Sequence, residues 1–320
     1  KAYVRFYIGI NAHGLERGRS GKKTYVRLFT GINACGLERG RSRNDWFLSS
    51  NQTMIQIILG VIIVSIGIFI FYKYPMKSDV RQMTLGALFV ILAIILKRLA
   101  VMVPFLGFPS LKITLEVLPL IVAGLTLQPG YCFIVAIATD FLGLVLANAG
   151  GFPFLGFTLN AVLQTEIPCL LKNYLSEKNE KLLERIVKIV MLVISLLGCL
   201  YVFKINEVSI SGSMYQVTLP IKFTIFVIIA AMLVILFIFI RYYKNKLRQE
   251  DLRLFHLSIL SVVAIELTVT MFLTPYWLQS MYGIPFFASQ FVRILKSCVM
   301  IPLGIIIVYT MNRMIQKVIK

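Results

Sequence analysis

Long apolar runs separated by short polar stretches dominate the chain. A run of about 17 to 25 apolar residues is long enough to cross a bilayer as a helix. Such runs lie near 54–73, 83–103, 111–127, 130–147, 157–171, 186–203, 221–240, 254–274 and 291–311. The pattern predicts an all-α integral membrane protein with up to nine spanning helices.

Composition supports the same class. Apolar residues make up 58% of the 320 residues and charged residues 15%, against about 25% charged in soluble domains, so a soluble fold is excluded. The chain has 33 Lys and Arg against 14 Asp and Glu. In a membrane protein this excess collects in cytoplasmic loops. Since no aromatic and basic reading module accompanies it, we expect no nucleic-acid partner.

The cysteines and histidines suggest neither a disulfide framework nor a zinc site. The five cysteines have no C-x-x-C spacing, and the two histidines, His13 and His256, are far apart in sequence. We therefore expect no metal and no cofactor.

Loop charges predict the orientation of the helices. Lys and Arg cluster at 77–81, 172–188, 241–253 and 313–320, and these four clusters can all be cytoplasmic together. The loops 148–156 and 275–290 carry no charged residue and are expected outside. From Met76 onward this predicts eight helices with both termini in the cytoplasm.

The first 53 residues stand apart. Residues 3–20 recur almost unchanged as 25–42, and two copies are too few for a solenoid. We interpret 1–53 as a basic leader that is disordered or not genuine, and hypothesise that an over-extended reading frame precedes Met54 or Met76. If 54–75 spans as an extra helix, ten Lys and Arg of the leader must cross the membrane, against the usual charge bias. The segment is therefore either a ninth helix or a signal-like segment.

A family resemblance begins at residues 84–98, TLGALFVILAIILKR, which resemble the first helix of the substrate-binding (S) components of energy-coupling factor (ECF) vitamin transporters. The folate-type family fits best. The similarity continues through LKITLEVLPLIVAGL at 111–125, ATDFLG at 138–143, GFPFLGFTLNAVL at 151–163, TPYWLQSMYGIPF at 274–286 and FVRILKSCVMIP at 291–302.

The resemblance implies a six-helix core built from 76–175 and 254–320. Residues 176–253, a charged linker with two extra helices, would be an insertion. It further implies a multi-pass subunit of a bacterial cell membrane that captures a folate-like vitamin outside. Such a subunit docks on a transmembrane coupling subunit and two ABC-type ATPases, so it is not itself an enzyme.

Small residues on the first core helix are candidates for docking. Gly86, Ala93 and Ala100 recur every seven residues on one helical face, and small residues let another helix approach closely in lipid. With Ala87 they form either the docking surface for the coupling subunit or an internal packing surface.

Basic residues near the outer helix ends are candidates for binding the ligand. We expect Lys112, Arg293 and Arg98 to converge on the carboxylates of a glutamate tail, with Lys296 in the same set, since Arg suits carboxylate geometry. In the alternative, Lys112 pairs with Glu116 four residues along a helix. Lys97 and Arg98 then extend to the membrane interface.

A flat pterin ring requires apolar faces and a few polar groups, and Phe157, Thr158, Asn160 and Trp277 are the candidates. An aromatic belt at the membrane interface is the alternative for the aromatic residues. We expect Asp140 to form a buried hydrogen bond or line the site rather than relay protons.

Three alternative functions remain open: an S component for another vitamin or heterocycle, an intramembrane enzyme, and a proton-coupled transporter working alone. The enzyme lacks an H-E-x-x-H or paired-acid motif. The transporter would show an internal inverted repeat and several intramembrane carboxylates. Because the chain has no G-x-x-x-x-G-K-[ST] loop, ATP must be handled by partners.

Overall fold

The computed structural model describes the chain from residue 43 onward except residues 77, 100, 106–107, 114, 147–153, 176–181, 191, 194–195, 197–206, 211–212, 217–218, 247–248, 283–285 and 320. Only the backbone is described at 43–52, 101–113, 207–216 and some positions of the later helices. The chain divides into two units, 1–53 and Met54–Lys320. The sequence repeat at 3–42 lies outside the described residues.

Helix α1 covers Arg43–Lys73. Within the second unit its buried residues include Leu59, Ile63 and Ile70, which lie on one face of a helix. They pack with Phe133 and Trp277 in a second hydrophobic cluster. Residues 54–73 thus form a helix packed against the rest of this unit.

Helix α2 covers Val80–Arg98 and is capped by Asp79, whose Oδ1 accepts a hydrogen bond from the Arg81 backbone N–H at 3.0 Å. An antiparallel hairpin follows, with β1 at Val101–Phe105 and β2 at Phe108–Ile113. The prediction of helix as far as 103 and again from 111 was wrong. The sequence VPFLGFP at 103–109 contains two prolines and a glycine that disfavour a helix and favour a turn.

Three helices form the centre of the bundle. They are α3 at Val117–Thr126, α4 at Pro129–Leu146 and α5 at Leu155–Leu175. The Gln128 backbone N–H donates to Gln82 Oε1 at 3.0 Å, which ties the α3–α4 turn to α2. Gly124 lies against the Thr165 carbonyl and Pro168, so α3 and α5 approach each other closely at that point.

The predicted insertion contains both helical and extended backbone. Residues 182–190 are helical, and strands β3 at Glu207–Ile210 and β4 at Ser213–Gln216 form a second antiparallel hairpin. Helix α6 covers Leu219–Lys246. The predicted helix at 186–203 is described only in part.

The last elements run almost continuously. Helix α7 covers Gln249–Ile265, a π-helix covers Glu266–Leu273, α8 covers Thr274–Tyr282 and α9 covers Phe286–Ile319. A proline ring collides with the carbonyl four residues earlier in an α-helix, and the wider π turns just before Pro275 relieve this clash. The predicted run 254–274 extends from α7 through the π-helix to the first residue of α8, and the run 291–311 lies within α9. Both runs are shorter than the helical segments observed.

Apart from the two short hairpins, the described residues form an all-α membrane protein. Five helical segments among them are long and apolar enough to cross a bilayer: Thr53–Lys73, Val80–Arg98, Pro129–Leu146, Asp251–Met281 and Val299–Lys317. The main hydrophobic core includes Phe89, Leu120, Phe255, Ile259 and Ile305. It draws on α2, α3, α7 and α9.

Candidate functional site

Charged side chains collect at one end of the bundle, where α2 ends and α3 and α5 begin. Lys97 Nζ lies 3.6 Å from Asp140 Oδ1 and 3.8 Å from Glu116 Oε2. Asp140, only 5% exposed, also accepts a hydrogen bond from Thr158 Oγ1 at 2.7 Å. The expected buried hydrogen bond of Asp140 is confirmed.

A second group of charges lies on the π-helix and α9. The buried Glu266 carboxylate accepts a hydrogen bond from Ser297 Oγ at 2.7 Å. Arg293 and Lys296 are both within electrostatic reach of Glu266, and Lys296 is also within reach of Glu116. Since Glu116 also faces Lys97, one network joins both groups.

We call this network the polar cluster; it consists of Lys97, Glu116, Asp140, Glu266, Arg293 and Lys296. It contains three carboxylates and three cations, so the set has no formal net charge. An unpaired charge among membrane-spanning helices is costly. This balance is what allows six ionisable groups to lie together there.

Beside the polar cluster lies a group of aromatic and amide side chains. Trp277 Nε1 donates to Asn160 Oδ1 at 3.0 Å, and the Asn160 amide donates to Thr274 Oγ1 at 3.4 Å. The rings of Phe154 and Trp277 meet edge to face with 5.7 Å between centroids. A Cβ on Gly156 would collide with both rings, so glycine at this position permits the contact.

The structure brings most of the predicted ligand-binding residues to this end of the bundle. Arg293 and Lys296 belong to the polar cluster, Thr158 donates to it, and Asn160 contacts Trp277. The Phe157 ring meets the Phe154 ring, with centroids 5.7 Å apart. Of the four proposed ring-binding residues, Asn160 and Trp277 therefore contact each other directly, and Phe157 and Trp277 both contact the Phe154 ring.

Two expectations for basic residues were wrong. Lys112 lies in strand β2, paired in register with Met102, so the helical pairing with Glu116 does not form; the Lys112 side chain is outside those described. Lys97 points into the bundle toward Asp140 instead of extending to the interface. Arg98 is exposed and does not join the polar cluster.

The predicted docking face is mostly internal. Ala93 is fully buried, and a Cβ on Gly86 would lie 3.1 Å from Val135 of α4. The alternative of internal packing is therefore correct for these two residues. Ala87 is exposed, and Ala100 lies outside the described residues.

Searches of protein-family models and of curated proteins each find no match to this chain. The family resemblance therefore stays a prediction.

Sequence reasoning missed two buried carboxylates. Glu266 and Glu166 are 8% and 3% exposed, and both lie in predicted spans, where a charged residue is itself a signal of function. Neither Glu166 oxygen has a hydrogen-bond partner among the described residues. The pairing of Ser297 with Glu266 had no sequence signal, because it depends on how α9 packs against the π-helix.

Proposed function

We propose that this protein is the substrate-capture subunit of an ATP-driven ECF vitamin importer in a bacterial cell membrane. It binds folate or a reduced folate from outside and delivers it inward with a coupling subunit and two ATPases. The polar cluster is then at the outer end of the bundle, and both core termini are cytoplasmic, as the Lys and Arg distribution favours.

The polar cluster is the observation that carries this proposal. Charges within membrane-spanning helices are expensive and commonly mark substrate pathways. Here Asp140 of the cluster accepts a hydrogen bond from Thr158 on α5. Two residues further along α5, Asn160 binds Trp277, so that an aromatic ring and hydrogen-bonding groups lie together. Binding sites for small solutes pair such apolar surfaces with a few fixed polar groups. The vitamin and the partner subunits come from the resemblance.

The test is binding of folate, 5-formyltetrahydrofolate and a panel of unrelated vitamins to the full chain purified in detergent. We expect selective folate binding that weakens at least tenfold in Arg293→Ala, because the change removes a cation from the polar cluster. Arg241→Ala is the control, since Arg241 is exposed near the far end of α6. Binding of a different vitamin would show that folate is not the ligand. Binding of none of the vitamins would contradict the whole proposal.

A transporter that works alone on a proton gradient is the second candidate. The sequence argument against it was the lack of several intramembrane carboxylates, yet Asp140, Glu166 and Glu266 are all buried in the helices. Membrane vesicles without ATPases distinguish the two functions. Concentrative uptake driven by a proton gradient alone would favour this candidate and contradict the ECF proposal.

A further inference from the structure

A small cavity lies beside the polar cluster, between α3, the α7 and π-helix segment, and α9. Its volume is about 20 Å³, which is room for a single water molecule. The polar lining residues are Glu266, Thr270 and Lys296, and the apolar ones are Val117, Leu118, Ile121, Val262, Ile265 and Met300. One acid, one base and one hydroxyl thus share a space whose other walls are hydrocarbon.

The cavity lining contains two ionisable groups of opposite sign. Glu266 is held by the Ser297 hydroxyl at 2.7 Å, and Lys296 is within electrostatic reach of both Glu266 and Glu116. A ligand edge that reaches both groups would meet a hydrogen-bond acceptor at Glu266 and a donor at Lys296. Such an edge would replace the contacts that a water molecule can make with the same groups.

Charge balance then limits what the ligand can insert. The polar cluster contains as many carboxylates as cations, three of each, and Lys97 lies within 4 Å of two of the carboxylates. A dianionic glutamate tail would add two negative charges next to Glu116 and Glu266 in a medium where unpaired charges are strongly penalised. A group without net charge that carries a donor beside an acceptor leaves the balance intact.

We propose that the part of the ligand that displaces water from this cavity and contacts Glu266 and Lys296 has no net charge, and that it presents a hydrogen-bond donor to Glu266 and an acceptor to Lys296. This rests on the proposed function only in that the polar cluster captures a small solute. An amino-oxo pyrimidine edge and the zwitterionic head of an amino acid share this chemistry. The anionic tail of a folate stays outside the polar cluster, contrary to the sequence-based expectation.

The experiment compares fragments binding to the full chain in detergent by titration calorimetry. The probes are folate, pterin as the uncharged amino-oxo ring, p-aminobenzoylglutamate as the anionic tail, and glycine as the zwitterion. We expect either pterin or glycine to bind, which identifies the source of the edge, and p-aminobenzoylglutamate to bind at least tenfold more weakly than the better of those two.

Variants of Glu266 test whether this side chain recognises the ligand. Glu266→Gln should lower at least tenfold the affinity for the probe that the wild type binds. The amide is a poorer hydrogen-bond acceptor than the carboxylate, and its neutral charge leaves the cations of the polar cluster in excess. Glu266→Gln combined with Lys296→Met restores the charge balance, so it should fold and still bind weakly. Glu166→Gln is the matched control, being a buried Glu→Gln change outside the cavity lining, and should bind like the wild type.

Three results would overturn the inference. If p-aminobenzoylglutamate binds while pterin and glycine do not, the anionic tail is the part of the ligand that the site recognises. That result would leave the proposed function standing. Wild-type affinity in the Glu266 variants would show that the cavity takes no part in ligand recognition. Silence of every probe, folate included, would contradict the inference and the proposed function together.

Discussion

Lys97 and Arg98 are neighbours in sequence but lie in different surroundings. Successive helical residues are about 100° apart around the axis, so one side chain enters the bundle while the next faces away. Lys97 lies 3.6 Å from Asp140 and has a quarter of its side chain exposed, whereas Arg98 is exposed. The two residues therefore provide a matched pair for measuring the contribution of an ion pair inside the bundle.

Lys97→Met should destabilise the protein by about 2–3 kcal/mol. Breaking a fully buried ion pair costs about 3–5 kcal/mol and breaking an exposed one at most about 1 kcal/mol, and the Lys97 pair lies between these cases. It leaves Asp140 and Glu116 without their common cation. Denaturant unfolding in detergent measures the loss. Adding Asp140→Asn should recover part of it, since the amide oxygen still accepts the Thr158 hydrogen bond without a charge.

Arg98→Met is the control and should change the free energy of unfolding by less than about 0.5 kcal/mol, as exposed sites usually do. Equal losses in Lys97→Met and Arg98→Met would mean that the contacts of Lys97 with Asp140 and Glu116 contribute nothing to stability.

Apolar periodicity located individual helices well but could not place side chains across them. The sequence singled out Thr158, Asn160 and Trp277, and these lie near one another because α5 packs against α8. It could not show that Asn160 binds the Trp277 indole N–H, since that contact joins residues 117 positions apart. Periodicity also could not show that Arg98 is exposed, because its direction depends on which face of α2 packs on α4.

At the scale of elements, the helix predictions from hydropathy failed where proline and glycine interrupt an apolar stretch. Residues 101–113 are apolar enough to extend both neighbouring helices, yet Val101–Phe105 and Phe108–Ile113 form paired antiparallel strands. Hydropathy does not distinguish an apolar strand from an apolar helix segment, while Pro104, Gly107 and Pro109 do indicate a turn. The π-helix before Pro275 has no hydropathy signal, because it changes only how the backbone hydrogen bonds are spaced.

The packing of α3 on α5 depends on Gly124. A Cβ at that position would overlap the Thr165 backbone carbonyl and lie 2.9 Å from Pro168 Cβ. Backbone cannot rotate away as a side chain can, so the two helices would have to separate. Gly124→Ala should therefore cost about 1–3 kcal/mol of stability, despite the higher helix propensity of alanine.

Gly60→Ala is the control for this test, because a Cβ there would lie an ordinary 3.5 Å from Leu155 Cδ1. The melting temperature in detergent should fall for Gly124→Ala and stay level or rise for Gly60→Ala. A stable Gly124→Ala would show that α3 and α5 do not approach as closely as described.

At the scale of the whole molecule, the surface explains the composition. Large apolar side chains such as Leu88, Ile91 and Ile95 on α2, and Val61 and Ile68 on α1, are more than half exposed. A water-soluble protein rarely presents apolar surface of this extent. In a bilayer the same side chains meet lipid, and the polar groups stay inside the bundle.

Orientation is the remaining property of the whole chain that the charge pattern predicts. Gln279, exposed near the end of α8, and Arg241, exposed near the end of α6, should lie on opposite sides of the membrane. Each is replaced by cysteine in a chain whose Cys35, Cys199 and Cys298 are serine; Cys132 and Cys169 are fully buried and remain. A membrane-impermeant maleimide applied to intact cells should label Gln279→Cys at once and Arg241→Cys only after permeabilisation. We expect this order because the Lys and Arg of segment 241–253 predict a cytoplasmic location for it; the polar cluster would then open outward, as the proposed function requires. The reverse labelling order would place the polar cluster at the cytoplasmic face and contradict capture from outside, whatever ligand the cluster binds.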